Sequence, residues 1–201
     1  QATTAIVIDN GDPYGKGLAD AFSAVFATNG GQVIARERIK RGDTAFGPLA
    51  SKIVAAAPDI VVFEGLNPQG ALIVKALRAE RYGGTFMAPD GVLSERDFLG
   101  SALGDAEGAV VTGGALVDET FATRFEQRFQ RRPTTPFVLQ THDAVTLLLR
   151  AIDAVATGEA GGLAIERAAL LTRLRETPFD GLTGRITFDD AGDRRGETAA
   201  E

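Results

Sequence analysis

Short β-branched runs alternate with amphipathic stretches through about the first 112 residues of this 201-residue chain, a pattern that specifies βαβ units around a parallel sheet. Thr4-Ala5-Ile6-Val7-Ile8 reads as a strand. A helix from about Tyr14 to Asn29 follows, with Leu18, Ala21, Phe22, Val25 and Phe26 on one face and Gly30-Gly31 ending it. Gln32 to Ile39, Ile60-Val61-Val62-Phe63, Thr85-Phe86-Met87 and Gly108 to Thr112 read as further strands. Helices are expected from about Gly47 to Ala57, Gln69 to Arg81 and Ser94 to Leu99.

From Asp118 the pattern changes. Helices are predicted over Glu119 to Gln130, Val138 to Ala156 and about Leu163 to Arg175, punctuated by Gly158, Gly161 and Gly162, with no strand between them. Only Arg185-Ile186-Thr187-Phe188 returns to strand character. Three consecutive helices without a sheet of their own imply that this region belongs partly to a second lobe outside the chain, which is therefore expected to be a fragment. The chain opens at Gln1 without a basic and apolar leader, so a secretory signal is expected to have been removed. With a net charge of −6 and both signs interleaved, neither nucleic acid nor an anionic membrane is an expected partner. The chain has no cysteine, which removes thiol catalysis, disulfides and cysteine-ligated zinc.

In an open parallel sheet the loops after successive strands emerge on one edge, where ligands bind in such folds. Three segments are predicted to converge there: Asp9 to Gly17, Glu64-Gly65-Leu66-Asn67-Pro68 and Pro89-Asp90-Gly91-Val92. Tyr14, Glu64, Leu66, Asn67 and Asp90 are the candidate ligand-binding residues. They offer a phenol, an amide, an aliphatic side chain and carboxylates, while Lys16 is expected to turn away along its helix. Such an edge suits an ammonium better than a phosphate. Tyr14 and Asp90 could equally cap helices or pack the loops, and position alone does not decide between the two. A nucleotide reading of the first loop fails on spacing: a dinucleotide fingerprint starting at Gly15 needs glycine where Asp20 stands, and a P-loop needs Ser or Thr where Gly17 stands.

Other constellations point to no chemistry. His142 is the only histidine, too few for a metal site or a Ser-His-Asp team, and is expected to be a helix residue near a lobe interface. Asp189-Asp190-Ala191-Gly192-Asp193 falls short of a calcium loop. Arg124, Arg128, Arg131 and Arg132 gather toward a helix C-terminus, where the dipole favours cations. No catalytic residue, metal or cofactor is expected, and an enzyme is not.

Ile8-Asp9-Asn10-Gly11-Asp12-Pro13-Tyr14-Gly15-Lys16-Gly17-Leu18-Ala19 resembles the strand-to-helix segment of the leucine/isoleucine/valine-binding proteins of the type 1 periplasmic binding protein class. Gly42 to Phe46, Phe86 to Val92, Ala106-Glu107-Gly108, Pro136-Phe137 with Asp143-Ala144-Val145, and Phe179 to Asp189 match the same pattern in order and spacing. The resemblance implies a doubly wound α/β lobe with flavodoxin-like strand order, made of residues 1–112 and 183–193, with 113–181 belonging to an incomplete first lobe. It implies a solute-binding component of an ABC transporter, periplasmic or an extracellular lipoprotein, monomeric when complete, that hands a small amino-acid-like ligand to a membrane permease. A ligand-sensing domain of a receptor or regulator on the same fold is the alternative. By the same resemblance Tyr14 matches the tyrosine that lines the pocket, and Asp90 falls where an acid meets the ligand ammonium. Leu66 stands where leucine-binding members carry an aromatic residue, which puts leucine itself in doubt.

Overall fold

Strand β1 (Thr4–Asp9) is apolar on both faces, with Ile6 and Ile8 on one side and Val7 on the other, all buried, and this makes it a central strand. The computed structural model describes residues 2–93, 98–114, 117–133, 137–159 and 162–195. Strands β2 (Gln32–Arg38) and β3 (Ile60–Glu64) flank β1, and β4 (Thr85–Ala88) and β5 (Val110–Val111) extend the sheet to the order β2-β1-β3-β4-β5, parallel throughout. This is the expected doubly wound, flavodoxin-like arrangement.

The alternation of side chains along β1 and β3 sorts the helices onto two faces. Val7 and Val62 pack with Ala19 and Phe22 of α1 (Pro13–Thr28). Ile6, Ile8, Val61 and Phe63 pack on the other face with Ala50 and Ile53 of α2 (Gly47–Ala56) and with Ile73, Val74 and Leu77 of α3 (Gln69–Ala79). Each such side chain contributes about 1.5–3 kcal/mol on full burial, so this second face holds most of the apolar stabilisation. Away from the predicted ligand edge, Asp59 accepts from the backbone N–H and hydroxyl groups of Thr3 and Thr4 at 2.7–3.1 Å, tying the start of β1 to β3. Those bonds, led by the Thr3 N–H, hold its carboxyl down at about 2. The helix expected over Ser94 to Leu99 lies partly outside the described residues; Phe98 and Leu99 are helical and lead into the short α4 (Gly100–Ala102).

The chain divides into two compact units, Gln1–Gly114 and Ala115–Glu201. The second contains α5 (Glu119–Phe129), α6 (Val138–Val155), β6 (Thr157–Glu159), β7 (Gly162–Ala164), α7 (Arg167–Glu176), β8 (Phe179–Gly181) and β9 (Gly184–Ile186). Two expectations change here. The glycines at 158 and 162 belong to an antiparallel β6–β7 hairpin rather than to breaks between helices. In consequence α7 starts at Arg167, where the Glu166 carboxylate accepts from the N–H groups of Ala168 and Ala169. Strand β9 pairs antiparallel with β8.

Asp143 of α6 holds this unit together. Only 1% exposed, it accepts from the backbone N–H of Leu182 (2.9 Å), the N–H of Thr183 (2.7 Å) and the Thr183 hydroxyl (2.8 Å). Burial pushes its carboxyl up, but these donors outweigh burial and hold it below the usual carboxylate range. A Cβ at Gly181 would collide with the Asp143 carboxylate, so the β8–β9 hairpin comes this close to α6 only with glycine there. Asp143→Ala leaves three half-buried donors without their acceptor and is expected to destabilise the unit by about 1–3 kcal/mol in urea unfolding. Because the Asp143 carboxyl is depressed in the folded state, the stability it adds is full above the usual carboxylate range and is lost as pH falls through its folded value.

The buried cluster of the second unit is small, Leu147, Phe179 and Ile186 with Leu174 and Phe188 against them, and much of α6 stays open. Val145 is 51% and Leu149 59% exposed. A hollow of about 650 Å³ beside α5 is lined by Phe121, Phe125, Phe129, Val138 and Leu182, with Arg124, Arg128, Thr141 and His142 as its polar residues. Apolar surface on this scale promotes association. Light scattering of the 201-residue chain is expected to show self-association that Val145→Glu with Leu149→Glu reduces; a monodisperse monomer of the unaltered chain would contradict this.

Candidate functional site

The carboxyl ends of β1, β3 and β4 carry the residues singled out from the sequence. Parallel pairing sets Asp9, the last residue of β1, opposite Glu64, the last residue of β3. Both are buried. Asp9 is neutralised from the edge strand: Arg38 Nε donates to its Oδ1 at 3.0 Å, and Arg36 lies 3.6 Å from its Oδ2. Its Oδ1 also accepts from the Gly11 N–H.

The first loop is closed on itself. Asp12 caps α1 by accepting from the Gly15 N–H at 2.7 Å, and Asn10 Nδ2 donates to its other oxygen at 2.6 Å. The Gly15 N–H, chiefly, holds the Asp12 carboxyl below its usual range. A carboxylate thus occupies the helix N-terminus where a nucleotide phosphate would sit, which agrees with the failed glycine spacing. A Cβ on Gly15 would strike Asn10 and the carbonyl of Glu64, so glycine lets α1 approach the end of β3. Lys16 turns along the helix as expected and pairs with Asp20 at 2.6 Å.

Tyr14 and Asp90 come together from opposite ends of this half of the sequence. The Tyr14 hydroxyl donates to Asp90 Oδ1 at 2.8 Å and accepts from the Gly91 N–H at 3.2 Å. Burial and the Asp90 carboxylate push the phenol well above its ordinary value, so it stays a donor at any physiological pH. Tyr14 is nevertheless 38% exposed and Leu66 39%, and they form an accessible rim. Asn67 is partly committed to structure: its Nδ2 donates to the Val92 carbonyl at 3.2 Å and its N–H to the Gly91 carbonyl at 3.4 Å.

Glu64 differs from the other acids. It is 7% exposed, its Oε2 has no hydrogen-bond partner, and the same is true of Asn67 Oδ1. Burial first, and then the Asp90 carboxylate, raise the Glu64 carboxyl to about 7. Five predicted site residues therefore lie on the three convergent loops. The partnership of Asp9 with Arg36 and Arg38 was missed by the sequence reading. Alternate polar residues on an edge strand, Arg36 and Arg38 among them, were its only visible signal.

His142 lies on α6, its ring edge-on to Phe121 with centroids 5.7 Å apart and Nδ1 3.3 Å from Asp143. Arg132 of the arginine cluster pairs with Glu119 at 2.7 Å. Among the described residues no three His, Cys, Asp or Glu side chains gather as metal ligands, and no helix is long and apolar enough to cross a membrane.

The sequence profile described as periplasmic binding protein matches residues 1–200. The chain belongs to that family. A Leu/Ile/Val-binding protein of Rhizobium johnstonii is 30% identical over 193 residues, covering 94% of this chain and 50% of the relative. A leucine-, isoleucine-, valine-, threonine- and alanine-binding protein of Pseudomonas aeruginosa is 29% identical over 201 residues, again covering 94% and 50%. The crystal structure of a leucine binding protein from Thermotoga maritima superposes with a TM-score of 0.81 at 26% identity, covering 96% of this chain and 55% of that one. The chain thus spans about half the length of the curated relatives it matches.

Glu64 opposes folding where it must ionise. Its folded value, about 7, lies above the ordinary 4.5, so between those values the unfolded chain loses its proton first and stability falls as pH rises. Glu64→Gln is expected to raise the melting temperature of the ligand-free protein at pH 8, by an amount equivalent to about 1–3 kcal/mol, and to change it little at pH 4.5. An equal effect at both pH values would show that Glu64 is not held protonated.

Proposed function

We propose that this chain is part of the solute-binding component of an ABC transporter, capturing an amino acid or a related small ligand at the carboxyl edge of the five-stranded sheet and passing it to a membrane permease. The observation that carries this reading is the Tyr14–Asp90 pair: an exposed phenol held by a carboxylate, with no cation of the described residues paired to either. Tyr14, Glu64, Leu66, Asn67 and Asp90 form one side of the pocket in this reading, with Asp90 receiving the ligand ammonium. The rest comes from the half of the relatives' length that this chain does not span, and residues 113–181 belong with that other lobe. Relatives named for binding branched-chain amino acids support the class of ligand. The family supports a periplasmic location, and we extend the proposal to an extracellular lipoprotein form and to a monomeric complete protein.

The test is the melting temperature of the complete protein that carries this chain, recorded against amino acids, small amides and aliphatic acids. A ligand present at about 100 times its dissociation constant adds roughly 2.7 kcal/mol to the folded state, a rise of several degrees. At least one amino acid is expected to give that rise, and Asp90→Ala to abolish it. A rise with aliphatic acids alone, unaffected by Asp90→Ala, would overturn the ammonium assignment.

A further inference from the structure

We propose that a ligand ammonium arriving at Asp90 drives the buried Glu64 carboxyl to give up its proton, so that capture at this edge releases a proton to solvent and weakens as the medium turns acidic. The inference rests on the solute-binding reading and deepens it by coupling that site to pH.

Two acids on two touching loops carry the argument. Glu64, the last residue of β3, is 7% exposed, its Oε2 has no hydrogen-bond partner, and no cation among the described residues pairs with it. Asp90 starts the turn after β4. That turn lies on the loop after β3: the Asn67 N–H and Nδ2 donate to the carbonyls of Gly91 and Val92, and a Cβ at Gly91 would come within 2.5 Å of the Gly65 carbonyl. The other charged groups of the edge are committed elsewhere. Asp9 of β1, in register with Glu64, holds Arg36 and Arg38 of β2. On α1, Asp12 accepts the cap N–H and feels Arg41, Lys16 pairs with Asp20, and Tyr14 gives its proton to Asp90. The start of α3 brings only the neutral amide of Gln69, bonded to the Lys40 carbonyl.

A carboxyl so placed keeps its proton. Ionising it with neither donor nor cation strands a charge in a dry interior, and the Asp90 carboxylate adds repulsion. Burial first, and Asp90 second, raise the Glu64 carboxyl to about 7. An ammonium bound at Asp90 cancels the second cause and sets a positive charge in the same place, so the ionised form of Glu64 gains. The Glu64 O–H bond then breaks, its proton passes to water, and the carboxylate remains. The coupling acts through charge, so the ligand need not touch Glu64, which stays buried. It is also reciprocal: by whatever factor the ligand weakens proton binding at Glu64, a proton on Glu64 weakens ligand binding. A simple amino acid keeps both its ammonium and its carboxylate charged between pH 5.5 and 8, so the released proton comes from the protein.

The experiment is calorimetric titration of the complete protein with L-alanine, L-leucine and L-threonine at pH 6.5, in phosphate and in imidazole, whose different heats of ionisation turn any released proton into a difference in binding heat. At least one of the three is expected to bind with release of about half a proton or more per ligand. Its affinity is expected to be about five- to tenfold weaker at pH 5.5 than at pH 8. Glu64→Gln, which has no proton to give, is expected to lose both the release and the pH dependence. Should Glu64→Gln fail to fold or to bind, Glu64→Met replaces it with the same readout. Binding with equal heat in both buffers and equal affinity at both pH values overturns the proton coupling and leaves solute binding intact. Release that persists undiminished without Glu64 comes from another group and overturns the assignment. No binding of any of the three overturns both readings.

Discussion

Asp9 and Glu64 end adjacent parallel strands in register, and the rest of the site follows from how differently the fold treats these two carboxylates. The edge strand beside β1 carries Arg36 and Arg38, so Asp9 is buried as an ion pair and braces the first loop. On its other side β3 faces β4, whose following turn brings a third acid, Asp90. The sheet order alone therefore makes one carboxylate structural and leaves the other in a field of like charge. This is the point where the strand order reverses, with β2 reached on one side of β1 and β3 on the other, and where such folds bind ligands.

Much of the first unit was legible because its signals are local. Ile60 to Phe63 reads as a doubly buried strand from four residues, and Asp12-Pro13 reads as a helix start from two, since the cap and the fixed proline dihedral act within one turn. The convergence of Tyr14, Glu64 and Asp90 followed from topology, but the Tyr14–Asp90 hydrogen bond spans 76 residues and no spacing rule announces it. The second unit was less legible for the same reason. Asp143 finds its donors 39 and 40 residues away, and nothing in the helix around it distinguishes a buried staple from a solvated acid. The β6–β7 pairing was hidden because Gly158 and Gly162 read as helix breaks, while in the structure they stand in paired antiparallel strands. Glu166 is a less usual helix cap than Ser, Thr, Asp or Asn, and so the start of α7 was placed too early.

The two units differ in how their stability is built. In the first, a sheet covered on both faces buries Phe63, Phe86 and a run of Ile, Val and Leu side chains almost completely. In the second, a few apolar residues and one hydrogen-bonded carboxylate hold three helices and two hairpins, while the α6 surface stays open. A hydrogen-bonded anion specifies geometry more than it adds free energy, because its desolvation offsets most of what the donors return. The second unit is therefore the part with the smaller apolar core, where geometry is set more by hydrogen bonds than by packing.

Glycine placement turns the three loops of the site into one body. Gly91 sits so close to the Gly65 carbonyl that a Cβ would approach it to 2.5 Å, and only a residue without one lets the loop after β4 close on the loop after β3. Once there, its N–H binds the Tyr14 hydroxyl, whose proton goes to Asp90. Tyrosine suits this role because a rigid phenol donates and accepts at one oxygen, joining α1 to the β4 turn while leaving its ring face at the rim. The order of the loops is therefore built into the chain itself, so a ligand bound at this edge would spend little on organising protein. Among the described residues Arg36 and Arg38 pair with Asp9 and not with Asp90, which leaves Asp90 open to the ammonium we propose for it.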